Sequence, residues 1–534
     1  VPYNEISWFA CTDWEVGDFS DKISINHLNS GGCAVAVREA VAVKTYGNYI
    51  NGKWIPSEGG QWFDSTSPTT GEVLARFAKG TRGDVIRAID AAEAAFPAWS
   101  KMPPPARGLI LLRAAQIMRE RKAELGAVVS SEMGKVIAEG KGDVQEAIDF
   151  LEYISGEGRR LLGETTPSEL PNKFCMTVRR PIGVVGLITP WNFPMAIPIW
   201  KIGAALISGN TIVFKPASIT PLCVARLVEI FEEAGLPPGV LNYVTGGGGT
   251  VGMEIVENPR VKAISFTGGV PAGRDIYVAA AKNLKSVELE LGGKNPQIVM
   301  DDANLELALD GVLFGAFGTA GQRCTATSRL ILHEKVYDQF LKMLTARAES
   351  FVVGDPLDPH TDMGPVADAA AGESIMEYIE IGKQEAKLVT GGYRLTGGLY
   401  DQGFFIKPTI FETAHGSRIS TEEIFGPVLS VIKVHDFDEA IRVANDVEFG
   451  LSSSIYTRDV NLAFRAVEEL ETGITYINAP TIGAEVHLPF GGVKNTGNGG
   501  REAGTSAIDE FTEIKTVFVD YSNRLQKAQI VDEK

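Results

Sequence analysis

Two short runs with almost no polar interruption, Gly183-Val-Val-Gly-Leu-Ile-Thr189 and Thr211-Ile-Val-Phe-Lys215, constrain the fold most. A strand apolar on both faces belongs in a parallel sheet covered by helices on either side. The helical stretch between them, 196–207, completes a first βαβ unit. A second helix, 220–234, stops at Gly235-Leu-Pro-Pro238, a normal helical terminus. Leu241–Thr245 and Ala263–Phe266 continue the alternation, and the style recurs around Leu289, Gln297–Met300, Leu330–Leu332 and Val428–Val434. The predicted class is α/β with a parallel sheet built from βαβ units.

Other segments frame this core. Tyr49-Ile-Asn-Gly-Lys-Trp54 reads as a hairpin with Asn-Gly as its turn. Helices are predicted over 84–98, 105–124 and 129–160. The polar stretch 161–181 suits a protruding β-hairpin, and Lys515-Thr-Val-Phe-Val519 a last strand. Residues 1–44 mix Trp8, Phe9, Trp14, Gly31 and Gly32 with no sustained period and read as a poorly ordered extension, as 523–534 read as a tail.

With 534 residues, two or three domains are expected. A net charge of −17 argues against nucleic acid and against a basic membrane-surface role. No apolar run reaches the roughly 18–20 residues that span a bilayer. The first residues lack the basic-then-apolar order of a secretory signal. The five cysteines (Cys11, Cys33, Cys175, Cys223, Cys324) form no CxxC pair or zinc-spaced cluster, so no metal is expected. Their sparse, odd number suits reduced thiols in a cytoplasm.

Cys324 lies in a small polar loop, Gly318-Thr-Ala-Gly-Gln-Arg-Cys-Thr-Ala-Thr327. A thiolate is the reactive form, and the adjacent Arg323 is expected to lower the thiol pKa. Cys223, among Leu222, Val224 and Leu227, reads instead as a small core hydrophobe. A thiolate adding to a carbonyl creates an oxyanion that needs preset donors. Asn192, on the stiff turn Thr189-Pro-Trp-Asn-Phe-Pro194, is either such a donor or a turn residue bonding its own backbone. In Val287-Glu-Leu-Glu-Leu-Gly-Gly293, Glu288 and Glu290 point the same way. They form either a solvated strand face or the place of a general base. Phe266-Thr-Gly-Gly-Val-Pro-Ala-Gly273 is a glycine-rich turn opening a helix, which suits a pyrophosphate. Lys215 ends a buried strand, where a cation suits a ribose or phosphate oxygen.

In this order the segments Pro190-Trp-Asn-Phe-Pro194, Phe214-Lys-Pro-Ala-Ser218, Phe266-Thr-Gly-Gly269, Leu289-Glu-Leu-Gly-Gly293, Gly321-Gln-Arg-Cys324, Glu422-Glu-Ile-Phe-Gly-Pro427 and Pro489-Phe-Gly-Gly-Val-Lys494 carry a resemblance. Along nearly all of 46–521 the chain resembles the aldehyde dehydrogenase superfamily. The resemblance implies Cys324 as nucleophile. Asn192 and the Cys324 N–H would hold the oxyanion, and Glu290 would activate the hydrolytic water. Lys201 and Glu502 would serve a proton path. Thr189, Pro190, Trp191, Thr267, Gly268, Gly269, Gly273 and Leu291 would line the dinucleotide cleft. Glu423 would bind the nicotinamide ribose, with Phe425 beside it, and Lys215 and Ser218 would face the adenosine ribose. NAD-preferring members commonly carry a Glu where this chain has Ser218, so NADP is expected to be used well, alongside or in place of NAD.

The Gly-Gln-Arg-Cys arrangement resembles semialdehyde-oxidising members, which implies an ω-oxo acid such as 2,5-dioxopentanoate. Arg323 would anchor its distal carboxylate; the alternative is a structural salt bridge. Succinate semialdehyde enzymes often carry arginines at Trp200 and Gly318, a departure here, although succinate and aminoadipate semialdehyde remain open. Phe193, Trp200, Phe317 and Phe490 would make the tunnel apolar, which keeps broad aliphatic or aromatic aldehydes open too. A coenzyme A-acylating enzyme and a non-catalytic binding protein are the competing classes; an intact Cys324, Glu290 and Asn192 speaks against the second. The resemblance implies an aldehyde dehydrogenase-like α/β fold and divides the chain into a Rossmann-like dinucleotide-binding domain (45–158 and 182–291), an α/β catalytic domain (292–492) and a small β oligomerisation element (159–181 and 493–522). Exposed strand edges there imply a homodimer or homotetramer.

Overall fold

In the computed structural model, residues Val43–Gln529 are described. The extension assigned to 1–44, apart from its last two residues, and the end of the tail lie outside them. The Asn-Gly hairpin is present: Asn48–Ile50 pairs antiparallel with Lys53–Ile55. Asn51 (φ 51°) and Gly52 (φ 74°) both take the left-handed conformation that such a two-residue turn requires.

A seven-stranded sheet forms in the order Ser286–Glu290, Val261–Thr267, Val184–Ile188, Thr211–Lys215, Leu241–Tyr243, Asn48–Ile50, Lys53–Ile55. Its first five strands are parallel. The two apolar runs lie at its centre, buried throughout. From Val184–Ile188 the chain winds first to one side and then, at Val261–Thr267, to the other. That reversal leaves a crevice beyond the carboxyl ends of these two strands.

A second seven-stranded sheet runs Lys387–Thr390, Thr409–Glu412, Val428–Val434, Thr327–His333, Asn295–Val299, Ser452–Tyr456, Ile474–Ile477, parallel except for its first pair. Only four residues, 291–294, separate it in sequence from the first sheet. Leu289 therefore belongs to the edge of the first sheet rather than to the repeat of the pattern in the second half.

The helices over 84–98, 196–207 and 220–234 appear as Arg82–Lys101, Ala196–Ser208 and Pro221–Glu233. The expected helices 105–124 and 129–160 are cut differently, as Pro104–Glu120, Lys122–Met133 and Ile137–Glu157. Gly134, at φ 93°, ends the middle one with a left-handed cap, and the chain restarts after Val136. The 161–181 segment and the last strand form one antiparallel sheet, Thr165–Pro167, Lys173–Pro181 and Thr512–Asp520. No helix among the described residues is long and apolar enough to cross a membrane.

Candidate active site

The loop that carries Cys324 is held from several sides. Before it the backbone turns through Thr319 (φ 53°), Ala320 (φ 53°) and Gly321 (φ 70°). Left-handed non-glycine residues are strained, so surrounding contacts must impose this turn. The Asn295 amide donates to the carbonyls of Cys324 (2.8 Å) and Ala326 (2.9 Å). The Gln322 amide donates to the Thr319 carbonyl (3.1 Å) and accepts from the Ala367 N–H (3.0 Å). Held this way, Cys324 faces a cavity of about 120 Å³ walled by Phe193, Ile197, Trp200, Glu290 and Phe490. Trp200 and Phe490 meet edge to face, 5.1 Å between centroids.

Glu290 closes the edge strand of the first sheet. Both its carboxylate oxygens are buried with no hydrogen-bond partner among the described residues. Burial first, then Glu288 and Glu502, hold its carboxyl well above the usual carboxylate range. Glu288 does share its face, but that face is buried, not solvated. Glu288 accepts from Ser265 Oγ (2.5 Å) and Lys201 Nζ (3.2 Å). Lys201 also donates to Ser265 (2.6 Å) and to Glu502. Burial opposes the charge on Lys201, but Glu288 and Glu502 outweigh it and raise its pKa. Glu502 is fixed by reciprocal backbone bonds with Phe490, both 2.7 Å. Glu288, Lys201 and Glu502 thus form one buried hydrogen-bonded cluster beside Glu290, whose own oxygens it does not reach.

The expected effect of Arg323 on the thiol is not what the geometry gives. Burial first, then Glu290, Glu423 and Glu502, push the Cys324 thiol above its ordinary value. Arg323 turns aside. Its Nη2 pairs with Glu139 (2.7 Å), its Nε donates to Thr319 Oγ1 (3.0 Å), and its plane lies over Phe193 and Phe314. It still lines the cavity, and its Nη1 makes no hydrogen bond among the described residues. The salt bridge and a free edge therefore coexist.

On the other side of Cys324 lies a second cavity, about 210 Å³. It brings together Asn192, Pro190, Trp191, Thr267, Gly268, Gly269, Leu291, Glu423 and Phe425. Asn192 is buried, with its Oδ1 unpartnered among the described residues. Glu423 accepts the Gly293 N–H (2.8 Å), and burial raises its carboxyl to about 7. A side chain at Gly292 would come within 2.3 Å of Glu423, so glycine there lets the carboxylate approach. Trp191 and Phe425 meet edge to face at 5.5 Å. This space leads on to a cleft of about 460 Å³ at the topological crevice, lined by Thr189, Lys215, Gly248, Gly249 and Gly268. Lys215 donates to the Pro216 carbonyl, and burial lowers its ammonium to about 8.

Three expected site residues fall elsewhere. Phe317 packs against Phe351 in the core of the second sheet, because it closes the apolar face of the helix Leu305–Phe317. Gly273 stands one turn inside the helix Val270–Ala281, where a Cβ would meet Leu291 at 2.6 Å; it permits close packing and does not face the cleft. Ser218 Oγ donates to the Gly246 carbonyl (3.3 Å) rather than standing free on the cleft wall. Cys223 is fully buried, as expected. Asn295, Glu139 and Glu146 were not foreseen. Asn295 directly follows Gly292-Gly-Lys, close to Glu290, and Glu139 and Glu146 lie seven apart on one helix; both spacings are visible in the sequence.

The chain is similar to the alpha-ketoglutaric semialdehyde dehydrogenase of Bacillus subtilis (strain 168), 44% identical over 89% of this chain and 98% of that protein. It is 45% identical to the alpha-ketoglutarate semialdehyde dehydrogenase of Haloferax volcanii, over 89% of this chain and 99% of that one. Among solved structures, it superposes with a TM-score of 0.88 on betaine aldehyde dehydrogenase from Staphylococcus aureus in complex with NAD+, 34% identical, covering 90% of this chain and 95% of that chain. The aldehyde dehydrogenase family model matches residues 54–517, and with this site geometry the chain belongs to that family and is an aldehyde dehydrogenase.

Proposed function

We propose that the chain oxidises an ω-oxo acid such as 2,5-dioxopentanoate to the dicarboxylate, with NADP or NAD as hydride acceptor. The observation that carries this reading is the joint placement of Cys324, Glu290 and Arg323 on one small cavity. The names of the relatives at 44–45% identity support the substrate class.

The crevice fits a dinucleotide. Side chains at Gly247, Gly248 and Gly249 would meet nothing within 4 Å, which leaves open room along its wall. The N-terminus of the helix Val270–Ala281 opens onto it behind Gly268-Gly269. Lys215 supplies a cation whose one hydrogen-bond partner among the described residues is a carbonyl. Thr189, Pro190 and Trp191 form the near wall, and Glu423 and Phe425 the end next to Cys324. With Ser218 in place of a carboxylate, no like charge stands there against a 2′-phosphate, so NADP is used well.

The Cys324 thiol loses its proton to solvent, and the sulfur adds to the aldehyde carbon, forming the C–S bond of a thiohemiacetal. The Asn192 amide and the Cys324 N–H hold the oxygen that becomes negative. When bound, the dinucleotide accepts the hydride that converts this adduct to a thioester. Glu290, ionised at this step, takes a proton from a water that attacks the thioester carbon; the C–S bond breaks, the sulfur leaves as thiolate and regains a proton from solvent, and the acid departs. Lys201 and Glu502 relay the proton away from Glu290. A free thiol of this kind suits a reducing cytoplasm.

One panel tests the reading. Initial rates with 2,5-dioxopentanoate and with pentanal, each with NADP and NAD, are compared for wild type and Arg323→Ala. The expected result is a loss on 2,5-dioxopentanoate of about tenfold or more beyond any loss on pentanal. Equal losses remove the carboxylate anchor. An NADP kcat/KM more than about a hundredfold below that for NAD, near 2.7 kcal/mol, removes the cofactor reading.

A further inference from the structure

The helix Ile137–Glu157 carries three carboxyl groups at positions i, i+4 and i+7, which fall on one face. Glu139 is taken by Arg323 at 2.7 Å. Asp143 pairs with the fully buried Lys135 at 3.4 Å, and its other oxygen accepts the Ala196 N–H at 2.8 Å. Lys135 in turn sits over the Phe193 ring, 3.7 Å from its centroid. Two cations thus serve two carboxylates. The third, Glu146, makes neither an ion pair nor a hydrogen bond among the described residues, yet it lines the substrate cavity beside Arg323.

We infer that Glu146 is a specificity-determining residue that donates a hydrogen bond from its carboxyl O–H to the 2-oxo oxygen of the substrate, while the free edge of Arg323 takes the neighbouring carboxylate. This rests on the substrate class proposed above. The wall near them is formed by Phe193, Ile197, Trp200 and Phe490, whose one polar side-chain atom, the Trp200 indole nitrogen, is itself buried and unpartnered among the described residues. A charged carboxylate here would repel an anionic substrate; a neutral acid is a donor. Burial favours the neutral acid, raising the carboxyl to about 8, and Asp143 and Asp149 on the same helix add to this. Lys135 and Arg323 pull the other way and do not overcome it. Tyr476 faces it from the strand Ile474–Ile477, itself beside Glu485. The sign follows: below about pH 8 Glu146 donates, and above it the donor is lost and a like charge appears.

The test is the ratio of kcat/KM for 2,5-dioxopentanoate to that for 5-oxopentanoate, which has the same length and carboxylate but no 2-oxo group. Wild type is expected to favour 2,5-dioxopentanoate, with the ratio falling as the pH rises through about 8. Glu146→Leu lowers the ratio by about tenfold or more at neutral pH. Glu146→Gln, which keeps an N–H donor and cannot ionise, holds the ratio and flattens its pH dependence. A ratio unchanged in Glu146→Leu overturns the inference, as does a Gln variant as impaired as the Leu variant. So does a wild-type ratio that is flat through pH 8, a measurement that needs no variant to fold. A wild type that prefers a cationic aldehyde such as betaine aldehyde, with the preference lost in Glu146→Gln, assigns an ionised counter-charge and overturns it too. Failure of the underlying substrate reading shows separately, as a wild type that favours pentanal over both oxo acids.

Discussion

At the scale of single residues, the site is a thiol and a carboxylate that burial keeps protonated at rest. Burial holds both above their ordinary values, and Glu290 adds to the rise on Cys324, so neither is a strong nucleophile or base at rest. Glu290→Gln keeps the shape and removes the base. Mixed rapidly with aldehyde and NADP or NAD, it is expected to release about one reduced dinucleotide per site in a burst, then turn over about 10²–10⁴-fold more slowly than wild type. A steady rate equal to wild type, with no burst, removes Glu290 from deacylation. Cys324, Asn192 and Glu290 were legible in the sequence because each sits in a short motif at the end of a strand or in a glycine-rich turn. The direction in which Arg323 points was not. Adjacency in sequence says nothing about which of several partners a long side chain reaches, and Glu139, its partner, lies 184 residues away. Phe317 failed for a related reason: an aromatic near a nucleophile packs into the core as readily as into a tunnel.

At the scale of elements, the cavity exists because two sheets meet through four residues. Glu290 comes from the carboxyl end of one sheet, and Asn295 begins the next while clamping the Cys324 loop. The loop depends on Gly321, where φ is 70° and a Cβ would fall 2.2 Å from the Gly426 carbonyl. Gly321→Ala is expected to cost about 1–3 kcal/mol of stability and to lower kcat more than it raises the Kd for dinucleotide. Thermal unfolding and dinucleotide titration check both; an unchanged Tm and kcat mean the loop tolerates the shift. Strands were the most legible elements, since Val184–Ile188 and Thr211–Lys215 are apolar without a break. Helix boundaries were less so: Leu125 and Val129 continue the helical period up to Gly134, and only the left-handed cap there divides the segment from Ile137–Glu157.

At the scale of the whole molecule, the sheet formed by Thr165–Pro167, Lys173–Pro181 and Thr512–Asp520 leaves apolar side chains in water. Ile514 and Phe518, on one face of the last strand, are 68% and 65% exposed. Such a surface calls for cover, and a second copy of this chain is the cover expected. Light scattering after gel filtration should give a dimer or tetramer for wild type, shifted toward monomer in the double variant Ile514→Glu, Phe518→Glu. A monomeric wild type at micromolar concentration removes that assignment.

The most direct measurement concerns one atom. Cys324→Ser exchanges sulfur for oxygen and leaves the loop and cleft in place. Its dinucleotide affinity should stay within about threefold of wild type, while aldehyde oxidation falls by about 10³-fold or more, because an unactivated hydroxyl is a far weaker nucleophile. Oxidation persisting within about tenfold of the wild-type rate would contradict a covalent adduct on Cys324.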